Sequence, residues 1–106
     1  MIPEMTPTEF VALRGSGADM VLLDVREPWE LDVARVPDIV HIPMGQVADR
    51  LQELDPGRQT VVICRSGRRS MDIARFLEQK GFKSVANLKG GILAWSQELD
   101  PSLATY

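Results

Sequence analysis

Apolar and polar positions fall into two kinds of segment along this chain: short unbroken apolar runs, and stretches where apolar residues recur at helical spacing. Met20-Val21-Leu22-Leu23-Asp24-Val25 and Thr60-Val61-Val62-Ile63-Cys64 are the clearest runs. Neither alternates apolar with polar, so both are predicted to be strands covered on two faces. The second is β-branched and uncharged, which places it at the sheet centre. Ser84-Val85-Ala86-Asn87-Leu88 is predicted to be a last strand. Val36–Ile42 is predicted to be another, kept short by Pro37 within it and Pro43 after it.

Between the runs lie helices. Thr6-Pro7-Thr8-Glu9 has the cap, the first-turn proline and the reciprocal acid of a capping box, so a helix is expected to about Arg14, stopping at Gly15. Pro28 opens a helical turn through Leu31 and Val33. Apolar residues at 47, 51 and 54 predict a helix over 47–54, closed by a turn at Asp55-Pro56-Gly57. A longer helix is predicted from about Arg69 to Lys80, burying Ile73, Phe76 and Leu77, with Gly81 ending it. Gly90-Gly91 turns the chain into a final helix with Ile92, Leu93 and Trp95, ended by Asp100-Pro101. Strands alternating with helices across short connections imply an α/β fold, a parallel sheet with helices on both faces.

With 106 residues, a single domain over 1–106 is expected, and there is no internal repeat, low-complexity tract or linker. A net charge of −3 argues against a nucleic-acid partner, because phosphates reward a basic face. Cys64 is the only cysteine, which excludes an intrachain disulfide and a cysteine-based metal cage and fits a reducing compartment. The start, Met1-Ile2-Pro3-Glu4-Met5, lacks the basic and apolar stretches of a signal peptide, and no apolar run approaches the ~20 residues of a membrane span. A cytoplasmic protein with no membrane partner is expected.

Ligands of parallel α/β sheets sit at the carboxyl ends of strands, and Cys64 ends the best strand. The loop Cys64-Arg65-Ser66-Gly67-Arg68-Arg69-Ser70 then leads into a helix, whose N-terminus leaves amide groups unpaired and partial positive charge. Arg65, Arg68 and Arg69 fall within the five residues after the cysteine, in an acidic chain. Gly67 permits the bend that curls the loop inward. A cysteine in that field is expected to be a thiolate, with its pKa lowered from ~8.5 towards about 3.5–7.5. It then attacks an electrophilic sulfur without a general base. The plainer alternative is an inert core cysteine with solvated arginines around it.

Four stretches in order resemble the rhodanese-like domain family: the loop Cys64 to Ser70, Leu23-Asp24-Val25-Arg26-Glu27-Pro28, Ile42-Pro43, and Asn87-Leu88-Lys89-Gly90-Gly91-Ile92-Leu93-Ala94-Trp95. The resemblance implies the family's three-layer fold, a five-stranded, mainly parallel sheet between helices. It also implies sulfurtransferase activity through a persulfide on Cys64. Thiosulfate or a related donor supplies the sulfur, and cyanide, a thiol or a protein sulfur acceptor removes it. The substrate-binding residues implied are Arg65, Ser66, Gly67, Arg68, Arg69 and Ser70, with no cofactor and no metal. One stretch departs from the family: in Ala34-Arg35-Val36-Pro37-Asp38-Ile39, Arg35 stands for the usual histidine and Asp38 for a glycine.

Asp24 and Arg26 lie beside the site. Either Asp24 orients the loop, through Arg69 or the loop amides, or the two form a structural ion pair at the strand end. His41 and Met71 are expected to be structural, Trp95 to anchor the core, and Trp29 to cover core, with the site mouth as its alternative. Phosphatases and arsenate reductases of this fold carry Cys-x5-Arg, whereas Cys64 to Arg69 is Cys-x4-Arg, a smaller ring suited to one sulfur. The rival of another class is a module that carries sulfur to a partner, or regulates it, without turnover.

Overall fold

A computed structural model describes residues 1–106. The uncharged β-branched run becomes β4 (Gln59–Ile63), central in a five-stranded sheet. The other strands are β1 (Glu4–Met5), β2 (Met20–Asp24), β3 (Val40–His41) and β5 (Val85–Leu88), in the order β1-β5-β4-β2-β3. Every neighbouring pair is parallel, where a mainly parallel sheet was expected.

Strand alternation distributes the core. Val61 and Ile63 pack on one face with Phe10, Ile92 and Trp95, while Val62 and Cys64 pack on the other with Ile73, Ala74 and Leu77. Helices α1 (Pro7–Gly15) and α4 (Gly91–Glu98) supply the first layer, and α3 (Arg68–Gln79) the second. Side chains at i and i+2 share a sheet face, so placing Val62 fixes the side on which Cys64 projects. The capping box of α1 is present, with the Glu9 amide donating to Thr6 Oγ1 at 3.1 Å and the Thr6 amide to Glu9 Oε1 at 3.1 Å. No helix is long and apolar enough to cross a membrane.

Three expectations need correction. The strand over 36–42 shrinks to the two residues of β3, because Pro37 removes a ladder donor and Asp38 turns left-handed, with φ of 59°. Aspartate tolerates that left-handed conformation better than most residues. The helix over 47–54 is absent; 3₁₀ turns at Met44–Gln46 and Leu51–Glu53 replace it. Val47 and Leu54 are buried as their spacing implied, and the two 3₁₀ turns bury them without a continuous α-helix. Trp29, on α2 (Pro28–Val33), covers no core: it is 60% exposed and meets Tyr106 edge-on. Trp95 is buried, Met71 packs on the core, and His41 Nε2 donates to the Arg26 carbonyl at 2.7 Å.

Candidate active site

Cys64 follows the last residue of β4, and α3 begins four residues later. Gly67, with φ of 99°, makes the turn between them. Its amide donates to Cys64 Sγ at 3.1 Å, the Ser70 hydroxyl lies 3.2 Å from the same atom, and the Ser66 and Ser70 amides also aim at it. Burial pushes the Cys64 thiol up, for the residue is 1% exposed. The Ser70 hydroxyl and the amides of Ser70, Gly67 and Ser66 outweigh burial and hold the thiol below the usual thiol range. The sulfur lies buried beneath a loop whose outer residues, Ser66 and Arg68, are exposed.

Inward amides require outward carbonyls, and the carbonyls need partners. The N-terminus of α4 supplies two: the Ile92 amide donates to the Cys64 carbonyl at 2.9 Å and the Leu93 amide to the Arg65 carbonyl at 3.1 Å. Asn87 Nδ2 supplies a third, to the Gly67 carbonyl at 3.0 Å. The same nitrogen donates to Glu4 Oε2 at 3.1 Å, so both its hydrogens are engaged and Oδ1 is left to accept. The Ser70 hydroxyl donates to that Oδ1 at 2.5 Å. Ser70 has one hydrogen and two acceptors. In the thiol form Cys64 donates to Ser70 and Ser70 to Asn87; on ionisation the Ser70 hydrogen turns to the sulfur. Ser70→Ala removes that donor, so the pH midpoint of Cys64 alkylation is expected to move up. An unchanged midpoint in iodoacetamide kinetics contradicts this role.

The three arginines play separate parts. Arg69 is bidentate to Glu30, at 2.8 and 2.7 Å, and Arg65 donates to the Tyr106 carbonyl while its guanidinium lies 5.4 Å from the Tyr106 ring centre. Arg68 is exposed. The thiol's acidity therefore comes from amides and a hydroxyl rather than from a cluster of free cations. Asp24 and Arg26, both fully buried, form the ion pair, with Nη2 to Oδ2 at 2.8 Å and Nε to Oδ1 at 3.0 Å. Asp24 touches neither Arg69 nor a loop amide. The connection is indirect: Arg26 donates to the Tyr106 hydroxyl at 3.0 Å, which donates to Glu30 at 2.9 Å, which holds Arg69.

Glu30, Tyr106, Asn87 and Glu4 escaped sequence reasoning. Asn87 lay within a quoted motif and was not singled out; Glu30 reads as an ordinary helix-surface acid, and nothing near Tyr106 marks it. The Arg69 guanidinium holds the Glu30 carboxyl down at about 2 against burial, helped by the Glu27 amide and the Tyr106 hydroxyl. A carboxyl lowered from 4.5 contributes stability that is fully present above 4.5 and is lost as pH falls through about 2. Glu30→Gln is expected to flatten stability over that window, removing about 2 kcal/mol of pH dependence once screening of the half-exposed Arg69 is allowed for. Urea melts at several acidic pH values measure it.

The family model for rhodanese-like domains matches residues 6–98. The protein YtwF of Bacillus subtilis is 42% identical over 83 residues, covering 78% of this chain and 80% of that protein. A sulfurtransferase of Allochromatium vinosum is 38% identical over 86 residues, covering 81% of this chain and 80% of that one. A rhodanese-related protein from Thermoplasma volcanium superposes with a TM-score of 0.84 at 26% identity, covering 98% of this chain and 99% of that chain. The chain belongs to the rhodanese-like domain family.

Proposed function

We propose that Cys64 accepts a sulfane sulfur from thiosulfate or a related donor, holds it as a persulfide, and yields it to cyanide or a thiol. The observation that carries this reading is the Gly67 amide on Cys64 Sγ at 3.1 Å, with further loop amides aimed at the same atom. That the chemistry is sulfur transfer of the rhodanese kind is supported by the family and by a relative named a sulfurtransferase. In the first half-reaction the Cys64 thiolate attacks the outer sulfur of thiosulfate. A Cys64–sulfur bond forms, the sulfur–sulfur bond of thiosulfate breaks, and sulfite leaves with the electron pair. In the second, cyanide or a thiolate attacks the outer sulfur and the Cys64 thiolate leaves. Negative charge sits on the loop sulfur in each resting form, so fixed amide donors serve both steps without a proton transfer. Exposed Arg68 is the cation open to the anionic donor. A reducing compartment suits a thiol that must stay free.

Steady-state formation of thiocyanate from thiosulfate and cyanide tests the reading. Cys64→Ser is expected to lower the rate by at least about 1,000-fold, the scale on which a covalent nucleophile's loss is felt. Thiocyanate formed equally well by that variant rejects it. Full sulfur uptake with negligible turnover on small acceptors assigns the chain instead to delivering sulfur to a protein partner.

A further inference from the structure

We infer that a cavity beside the sulfur loop is the acceptor subsite, and that it selects thiols with an apolar body and a cationic end. This rests on the persulfide reading and adds the acceptor's chemical class to it. The cavity, of about 750 Å³, lies between α3 and the Met44–Gln46 turn. Cyanide and thiosulfate are far smaller than this space, which falls among the ~300–1,000 Å³ of sites for larger small molecules.

Its walls are shared with the structure around the cysteine, which does not itself line it. Val25, Val47 and Ile73 line it, and the same three belong to the buried cluster that contains Cys64. The Val25 amide donates to the Ile63 carbonyl at 3.1 Å, and the Met44 amide to the Val25 carbonyl at 2.9 Å, which anchors one wall to the end of β4. Arg69, the last residue of the Cys-x4-Arg loop, forms part of another wall.

Charge sets the choice of acceptor. Arg69 is the lining cation, and Glu30 already engages it through two hydrogen bonds. Glu27 and Asp72 are the lining acids, both exposed, and the cation nearest Asp72 is Arg75 at 3.8 Å. An apolar floor with a net acidic rim favours an alkyl chain ending in an ammonium group and disfavours a carboxylate. The anionic donor is thereby left to the Arg68 side of the loop. With the acceptor seated, its thiolate attacks the outer sulfur of the Cys64 persulfide, a new sulfur–sulfur bond forms, and the Cys64 thiolate leaves. The acceptor's proton goes to solvent.

The test compares 6-amino-1-hexanethiol, 6-mercaptohexanoate and cyanide as acceptors at fixed thiosulfate, with intact mass taken in parallel. The two thiols share length and apolar body and differ in end charge. The amine is expected to give the higher kcat/KM by about five- to tenfold, the scale of two exposed carboxylates acting together. Glu27→Gln with Asp72→Asn is expected to bring the two thiols together. Ala48→Trp, which places a large ring in the cavity, is expected to lower kcat/KM for the amine at least about tenfold relative to cyanide, by loss of the apolar seat. Equal kcat/KM for the two thiols in the parent protein overturns the inference, as does an Ala48→Trp variant whose ratio of amine to cyanide turnover is unmoved. Failure of the persulfide reading shows separately, as no gain of sulfur in the mass.

Discussion

Gly91→Ala is expected to abolish sulfur transfer and to destabilise the fold by about 2–5 kcal/mol, from overpacking and a left-handed backbone together. A Cβ at this position meets the Cys64 carbonyl oxygen at 2.3 Å and the Arg65 carbonyl carbon and oxygen at 2.6 Å. These are backbone atoms of the sulfur loop, so relief requires the loop or α4 to move. Either movement breaks the bonds from Ile92 and Leu93 that turn the loop carbonyls outward. The amides then lose their aim on the sulfur, and the thiol's acidity goes with it. The φ of 58° adds strain for any side chain. Gly15 is the control: a Cβ there meets nothing within 4 Å, and alanine is expected to stay within about 0.5 kcal/mol of the parent. Urea midpoints and thiocyanate rates on the two variants measure the contrast. A Gly91→Ala protein with parental rate and midpoint contradicts the clamp.

Asp24→Ala is expected to cost about 3–5 kcal/mol, because it leaves a buried guanidinium without its counter-charge. Arg26 is fully buried and donates three hydrogen bonds from its side chain to the Asp24 carboxylate. What remains is the Tyr106 hydroxyl at 3.0 Å and the Glu30 carbonyl at 3.4 Å, neither an anion. Against total stabilities of about 5–15 kcal/mol, such a loss leaves a marginal fold. Removing both charges is gentler: Asp24→Ala combined with Arg26→Met is expected to recover part of the deficit, since no lone ion is then buried. A double variant less stable than Asp24→Ala shows that the isolated charge is not the cause. Because Arg26 reaches Arg69 only through Tyr106 and Glu30, the double variant is expected to fold with Cys64 still reactive.

Where a stretch is apolar on both faces, its fate is decided locally, and the chain is readable. β4, β2 and the glycine-bearing loop after Ile63 were legible for that reason, as were Cys64 and the capped start of α1. Val47 and Leu54 show the limit: their spacing reports which side chains are buried, but 3₁₀ turns and an α-helix bury the same ones. β1 is two residues long, too short for any period, and exists because β5 offers it an edge: the Asn87 amide bonds the Pro3 carbonyl and the Lys89 amide that of Met5.

The site divides along the same line. Cys64 and the amide ring follow from one contiguous segment. The partners of its arginines come from far along the chain: Glu30 is 39 residues from Arg69 and Tyr106 is 41 from Arg65. Counting Arg65, Arg68 and Arg69 together towards the field on the sulfur overstated it. Two of them are occupied by contacts that only the tertiary fold brings together. The Asp24–Arg26 pair was visible as two residues, but its link to the loop through Tyr106 was not, since no local pattern marks that tyrosine.

The central claim is that the ring of amides after Ile63 surrounds a sulfur able to take up one more. Intact mass spectrometry of the reduced protein after exposure to thiosulfate measures this directly. The expected result is a gain of one sulfur atom, reversed by cyanide and absent from Cys64→Ser. An unchanged mass under conditions where Cys64 still reacts with iodoacetamide contradicts the account.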